Sequence, residues 1–312
     1  ARAGGKEEAS IIMGNLNISS ANAAFVNGVL GHTLEYDDVQ KRALTHPGAV
    51  AVPVSLASVQ AWGESGKALL LGVAAGYEIM IRLGEAVNPS HYRYWHTTGT
   101  CGAFAAAAAS SVIMKLDSGR IKMALGIAGT MAAGLVCTFG TDAKMANVGN
   151  ACHSGILAAN LAYEGFTAPT DVIEGEKGFM EAMSEGENVD LVLDGIGDTW
   201  KINSAMYKIH GSCAHTHPVI DALLCLRDQE EIKPEQVESI QIDTFETAVR
   251  LTGDFKNSSA QAAKFSIPYC AAAALLYGRV TVKEFENEVL YDSKLLELSK
   301  KVTVREWPES TQ

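Results

Sequence analysis

Thr100–Leu116 reads TCGAFAAAAASSVIMKL, and shortly after it Met123–Val136 reads MALGIAGTMAAGLV. Both are built from small and apolar residues, and Lys115 is the one charge they contain. Small side chains on a continuous helical run let neighbouring backbones approach closely, so each stretch predicts a helix buried all round within a large helical layer. Asp117 and Ser118, ahead of Gly119, supply the break and the cap between them, with Arg120 and Lys122 at the solvated edge. The charge-free run Met123–Thr141 has the length of a membrane span, but Ala, Gly and Thr gain little in lipid and no aromatic belt flanks it. A buried helix accounts for it better.

The surrounding sequence repeats the theme. Lys67–Ala86, KALLLGVAAGYEIMIRLGEA, carries apolar residues on a helical period with Glu78, Arg82 and Glu85 on a compatible face. Asn150–Tyr163 predicts a further buried helix, stopped by Gly165 and Pro169. Near Ser204 the character changes. Ser239–Phe245, SIQIDTF, and Lys300–Trp307, KKVTVREW, alternate apolar and polar residues as half-exposed strands do, with helical patterns over Ala260–Tyr277 and Val282–Ser299 between them. The expectation is a mainly α protein, with a large all-helical domain over residues 1–204 and a smaller α+β domain over residues 205–312.

Composition narrows the function classes. Hydrophobic residues make up 47% and charged residues 20%, an ordinary balance for a globular chain. A formal net charge of −11 and the lack of a basic stripe argue against a nucleic-acid partner. An anionic substrate would need a local cluster of Lys and His to hold it against that field. The cysteines Cys101, Cys137, Cys152, Cys213, Cys225 and Cys270 are scattered, as small buried thiols of a reducing compartment are. No basic leader precedes the first helix, so a soluble, cytoplasmic protein with no membrane partner is expected.

Four clusters carry residues suited to chemistry. Gly31–Val54, GHTLEYDDVQKRALTHPGAVAVPV, gathers His32, Glu35, Asp37, Asp38 and His46 ahead of a rigid Pro-Gly turn and an apolar segment. Positioned proton donors and acceptors are the needs of acid–base catalysis, and a capped polar loop is the plainer reading. In His91–Gly102, HYRYWHTTGTCG, His96 precedes a buried helix, where the positive end of the helix dipole favours a neutral ring. In Phe139–Gly155, Lys144 lies between two nearly charge-free helices; it faces Asp142, binds an anion, or sits in a surface turn. Tyr207–His217, YKIHGSCAHTH, reads three ways. His210, Cys213, His215 and His217 form a metal site for a hydrolase, Lys208 and His217 flank a turn that binds an anion, or the run is a capping loop.

Taken together, the stretches GHTLEYDD with THPG, YWHTTGTCGAFAAAAA, AKMANVGNACHSG, EGFTAPTDVIEGEKGF, KIHGSCAHTHPVIDAL and FSIPYCAAAALLYG resemble, in order, the MmgE/PrpD family. Its members include 2-methylcitrate dehydratase, cis-aconitate decarboxylase and iminodisuccinate epimerase. The resemblance implies a large all-helical domain, a smaller α+β lid, an active site in the cleft between them, and a homodimer. It implies no metal, cofactor or nucleotide, and proton transfer at a carbon next to a carboxylate of a small di- or tricarboxylate. By matching position, Glu35, His46, His96 and Tyr269 are the implied catalytic residues, and Lys144, Lys208 and His217 the implied substrate-binding residues. Glu35 replaces the Asp of relatives such as the decarboxylase. Val39 stands where the decarboxylase pattern has Thr, Cys213 where it has His, and His210-Gly211 where an aromatic-Pro pair is usual. These departures put the decarboxylase last; a carbon–oxygen lyase of the 2-methylcitrate dehydratase type is the first reading and an epimerase the second. Relative to the family pattern the chain looks short at both ends.

Overall fold

The computed structural model describes residues 5–185 and 188–310. The described chain is mainly α, with two-stranded sheets only, and divides into two compact units. One unit comprises the residues up to Thr33, Asp37–Cys137 and Ala143–Tyr207; the other comprises Leu34–Tyr36, Thr138–Asp142 and the residues from Lys208 on. No helix among the described residues is long and apolar enough to cross a membrane.

The first unit opens with β1 (Ala9–Ser10) paired antiparallel to β2 (Asn17–Ile18), so it is not purely helical as the sequence predicts. Eight α-helices follow among the described residues: α1 (Ser20–Thr33), α2 (Gly48–Trp62), α3 (Gly66–Val87), α4 (Thr97–Ile113), α5 (Ser118–Met131), α6 (Ala143–Tyr163), α7 (Phe179–Met183) and α8 (Asp190–Leu193). Their ends follow from side-chain chemistry. The Ser65 hydroxyl accepts the Ala68 N–H at the start of α3, and the Asp117 carboxylate accepts the Arg120 N–H at the start of α5. Gly63 closes α2 in the left-handed conformation.

Helix α4 is the central element, buried along nearly its whole length and packed against α2, α3, α5 and α6. Its alanines set the spacing. A Cβ on Gly155 of α6 would lie 2.2 Å from the Ala106 Cβ and 2.5 Å from the Ala107 nitrogen, so that crossing tolerates glycine alone. Helix α5 departs from the prediction, since only Ala124, Gly126, Ile127 and Ala128 are buried. The charge-free stretch from Met123 on reflects close packing of one face, with Gly126 against Ala168 and Pro169 and Gly129 against Val172. Helix α6 begins at Ala143, well before the predicted Asn150, which places Lys144 inside a helix.

The second unit contains α9 (His217–Gln229), β3 (Ile240–Thr244), α10 (Glu246–Thr252), α11 (Ala260–Lys264), α12 (Ile267–Tyr277), α13 (Asn287–Leu290), α14 (Ser293–Ser299) and β4 (Val302–Glu306). Strands β3 and β4 pair in parallel with Ile240 opposite Val302. Parallel pairing requires a long crossover, which α10 to α14 supply. The two predicted helical runs are each interrupted. Ser266 accepts the Tyr269 N–H and Pro268 occupies the first turn of α12, which restarts the helix after α11. Asp292 does the same for α14.

The six cysteines are thiols outside any disulfide, four of them buried. Burial pushes the Cys101 and Cys270 thiols up to about 12 each, so they act as small apolar side chains.

Candidate active site

Helix ends build the polar centre of the first unit. His32 lies in the last turn of α1, His46 immediately precedes the Pro47-Gly48 entry to α2, and His96 is the N-cap residue of α4. Packing of α1 on α2 and α6, and of α4 on α2 and α6, brings these ends together. The His32 ring centroid lies 5.0 Å from that of His46 and 5.7 Å from that of His96, the latter pair stacked. His46 and His96, far apart in sequence, thus meet across a third imidazole.

Asp37 organises this group. Its Oδ2 is 2.6 Å from His32 Nδ1 and 3.4 Å from His46 Nδ1, with the Asp37 and His32 side chains 4% and 0% exposed. His46 Nδ1 is also 2.9 Å from the Asp38 carbonyl oxygen. A carbonyl only accepts, so Nδ1 carries the proton and Nε2 is the nitrogen left to exchange one. His96 has the opposite arrangement. Asn147 Nδ2 donates to its Nδ1 at 3.4 Å, which leaves the ring proton on Nε2. When both rings are neutral, one therefore offers a basic Nε2 and the other an Nε2–H.

The Pro-Gly turn is held by Asp38. Its carboxylate accepts from the Gly48 N–H at 2.9 Å and from the Tyr77 hydroxyl at 2.8 Å. A Cβ on Gly48 would fall 2.5 Å from Asp38 Oδ1 and 2.8 Å from the Tyr77 hydroxyl. Burial raises the Asp38 carboxyl above the usual carboxylate range, against the lowering by these two hydrogen bonds. The His46 N–H donates to Thr98 Oγ1 at 3.2 Å, tying the turn to the first turn of α4. Lys144 is buried in the first turn of α6, one turn before Asn147 and on the same face. An ammonium there sits at the positive end of a helix dipole.

In the second unit, Glu35 and Lys208 form an ion pair at 2.8 Å, both side chains 1% exposed. Glu35 adopts φ 59°, a left-handed conformation that Asp and Asn tolerate better than Glu. His210 Nε2 is 2.9 Å from Asp221 Oδ1, and its ring meets His217 edge-on at 5.0 Å. His217 Nε2 donates to the Ser212 carbonyl at 3.3 Å. Burial, helped by the charges of His210 and Lys208, lowers His217 to about 4, so it is neutral near pH 7. Tyr269 is fully buried in the first turn of α12, and its hydroxyl donates to the Glu284 carbonyl at 2.6 Å. Burial raises its phenol above the ordinary range.

The metal reading of the 207–217 run finds no support in the geometry. Among the described residues one trio has donor atoms within 4.8 Å of one another, and it is His32, Asp37 and His46. His215 instead packs on Phe245. Two ligands at about 2.0–2.1 Å on a tetrahedral metal lie about 3.3 Å apart. The 2.6 Å separation of His32 and Asp37 is that of a direct hydrogen bond. His32 and Asp37 enter the sequence reading only as members of the Gly31–Val54 cluster, and Asn147 has no role in it. The run GHTLEYDD displays the first two, but their bond depends on how the chain turns after α1.

Comparison with known proteins places these residues in context. The MmgE/PrpD N-terminal domain model matches residues 1–192, and the MmgE/PrpD C-terminal domain model matches residues 210–312. The chain is 29% identical over 303 residues to cis-aconitate decarboxylase of Mus musculus, covering 92% of this chain and 61% of that protein. It is 26% identical over 325 residues to a cis-aconitate decarboxylase-like protein, oryM, of Aspergillus oryzae, covering 94% and 66%. With cis-aconitate decarboxylase of Homo sapiens it shares 29% identity over 310 residues, covering 95% and 63%. The chain thus spans about three fifths to two thirds of the length of these relatives.

Proposed function

The chain belongs to the MmgE/PrpD family, and from that premise we propose that it is a lyase working by proton transfer at a carbon next to a carboxylate, acting first on a cis-aconitate-like tricarboxylate. The observation that carries this reading is the packing of His46 and His96 across His32, around the buried Asp37. Loss of CO2 leaves an electron pair that moves over the adjacent double bond, and a proton must then reach the far carbon. Dehydration needs a base for the α-proton and an acid for the departing hydroxyl. Dehydration uses one ring that accepts and one that donates, as His46 and His96 are arranged, and decarboxylation uses the donor. The N-termini of α2, α4 and α6 and the buried Lys144 supply positive potential to the substrate carboxylates within a chain of net charge −11.

Within the second unit, Lys208 and His217 are proposed as carboxylate-binding residues, with Glu35 fixing the Lys208 ammonium. His217, neutral near pH 7, acts there through a hydrogen bond rather than a charge. A direct catalytic role for Tyr269 requires its hydroxyl to leave the Glu284 carbonyl. The decarboxylase relatives move decarboxylation from last to first among the readings. Val39 and Cys213 depart from the decarboxylase pattern, and 2-methylcitrate-type dehydration is therefore kept as the second reading. We also propose that the protein assembles as a homodimer, which sedimentation tests.

Incubation with cis-aconitate or 2-methylcitrate in D2O, followed by proton NMR, tests the reading. CO2 release with deuterium incorporation marks the first route and water loss the second. His46→Ala and His96→Ala should each abolish either. Wild-type protein that neither exchanges protons nor turns over any of these acids would sink the proposal.

A further inference from the structure

We infer that His32 is a positioning residue, which holds the Asp37 carboxylate against His46 and so sets the ring edge that His46 presents to substrate. This rests on the reading of His46 as a proton carrier and goes beyond it, since His32 itself touches no substrate in this scheme. The Asp37 carboxylate is almost wholly buried, and a buried carboxylate needs charge-assisted donors to stay ionised. His32 Nδ1 is the short donor at 2.6 Å, and His46 Nδ1, whose proton is directed at the Asp38 carbonyl 2.9 Å away, faces the same carboxylate oxygen at 3.4 Å. A carboxylate fixed by one imidazole and turned towards a second orients the second ring and stabilises its protonated form. His32 Nε2 is buried with no hydrogen-bond partner among the described residues. The stacked His96 ring and the tilted His46 ring cover the His32 side chain on this side of the unit. An apolar side chain there would leave no ring nitrogen unmet, but it would take the short donor away from the buried Asp37 carboxylate.

His32→Asn and His32→Leu separate the possibilities. Asparagine can place an N–H where Nδ1 stands, and leucine cannot. His32→Leu should lower the turnover number for substrate proton exchange about a hundredfold, the lower range of what one positioned acid–base group contributes. KM should stay near the wild-type value, and His32→Asn should recover most of the loss. A far-downfield exchangeable proton from the His32–Asp37 bond should disappear in both His32→Leu and Asp37→Asn, and this readout is independent of activity. Should His32→Leu fail to fold, Asp37→Asn should still show the loss of turnover that His32→Asn avoids. Wild-type turnover in His32→Leu overturns the inference. So does an equal loss in His32→Asn and His32→Leu, a rise in KM with unchanged turnover, or stoichiometric zinc bound by His32, Asp37 and His46. A wild-type protein inactive on every acid tested overturns the lyase reading and the role of His32 with it, whereas an active wild type beside an unaffected His32→Leu overturns this inference alone.

Discussion

Glu35 and Lys208 are joined in an ion pair withdrawn from water, so neither can be changed as though it were a surface group. Removing one partner of such a pair leaves an uncompensated buried charge and costs about 3–5 kcal/mol. Lys208→Met should therefore lower the denaturation midpoint as well as polycarboxylate affinity, and Glu35→Gln combined with Lys208→Met should be less unstable than Lys208→Met alone. Additive effects in that double-mutant cycle would show that the pair is not coupled. Two histidines set a second expectation. Burial lowers His91 and His217 each to about 4, against an unfolded value of 6.5. As pH falls from 6.5 towards 4, the unfolded chain takes up protons that the folded chain refuses, so stability present above pH 6.5 is lost across that window. Each group contributes a slope of up to about 1.4 kcal/mol per pH unit. Melting curves at pH 7 and pH 4.5 that coincide would contradict this, and His91→Gln should flatten the dependence.

Between elements, the α4–α6 crossing is governed by glycine. Gly155→Ala drives a methyl group into the Ala106–Ala107 backbone and should destabilise the protein by about 1–3 kcal/mol or more. Gly31, inside α1, has nothing within 4 Å of a built Cβ. Gly31→Ala should be neutral or raise stability by about 0.5–1 kcal/mol, because alanine restricts the unfolded chain. Thermal melts of the two variants give opposite signs if the packing is right. Helix α4 was legible as a buried helix because its alanines leave no polar face. Helix α5 looked the same in sequence, yet much of it is not buried, since small residues serve equally for burial and for close approach along one face. The two breaks at Ser266 and Asp292 were missed because periodicity carries across a cap when apolar residues continue on both sides.

Over the whole molecule, a net charge of −11 opposes an anionic substrate, and only local groups reverse that field. Polycarboxylate affinity should fall as ionic strength rises, and Lys144→Met should reduce both affinity and its salt dependence. Loss of one charge-assisted contact is worth about 1.5–3 kcal/mol, which calorimetry in low and high salt can resolve. Wild-type affinity and salt dependence in Lys144→Met would remove that lysine from the site.

What the sequence determined by itself is the helical character, the strands at Ile240–Thr244 and Val302–Glu306, and the family, because apolar periodicity and ordered motifs are properties of the chain read in order. Tertiary structure alone decided that His32, Asp37, His46, His96 and Asn147 form one hydrogen-bonded and stacked group. It also decided that Lys208 is bound to Glu35, across 173 positions of sequence. Those distances are fixed by how closely helices pack, and packing depends on residues far from the site, such as Gly155 against Ala106. A proton's place on an imidazole follows from the neighbour that packing puts beside it, and that neighbour is not a property of any local stretch of sequence.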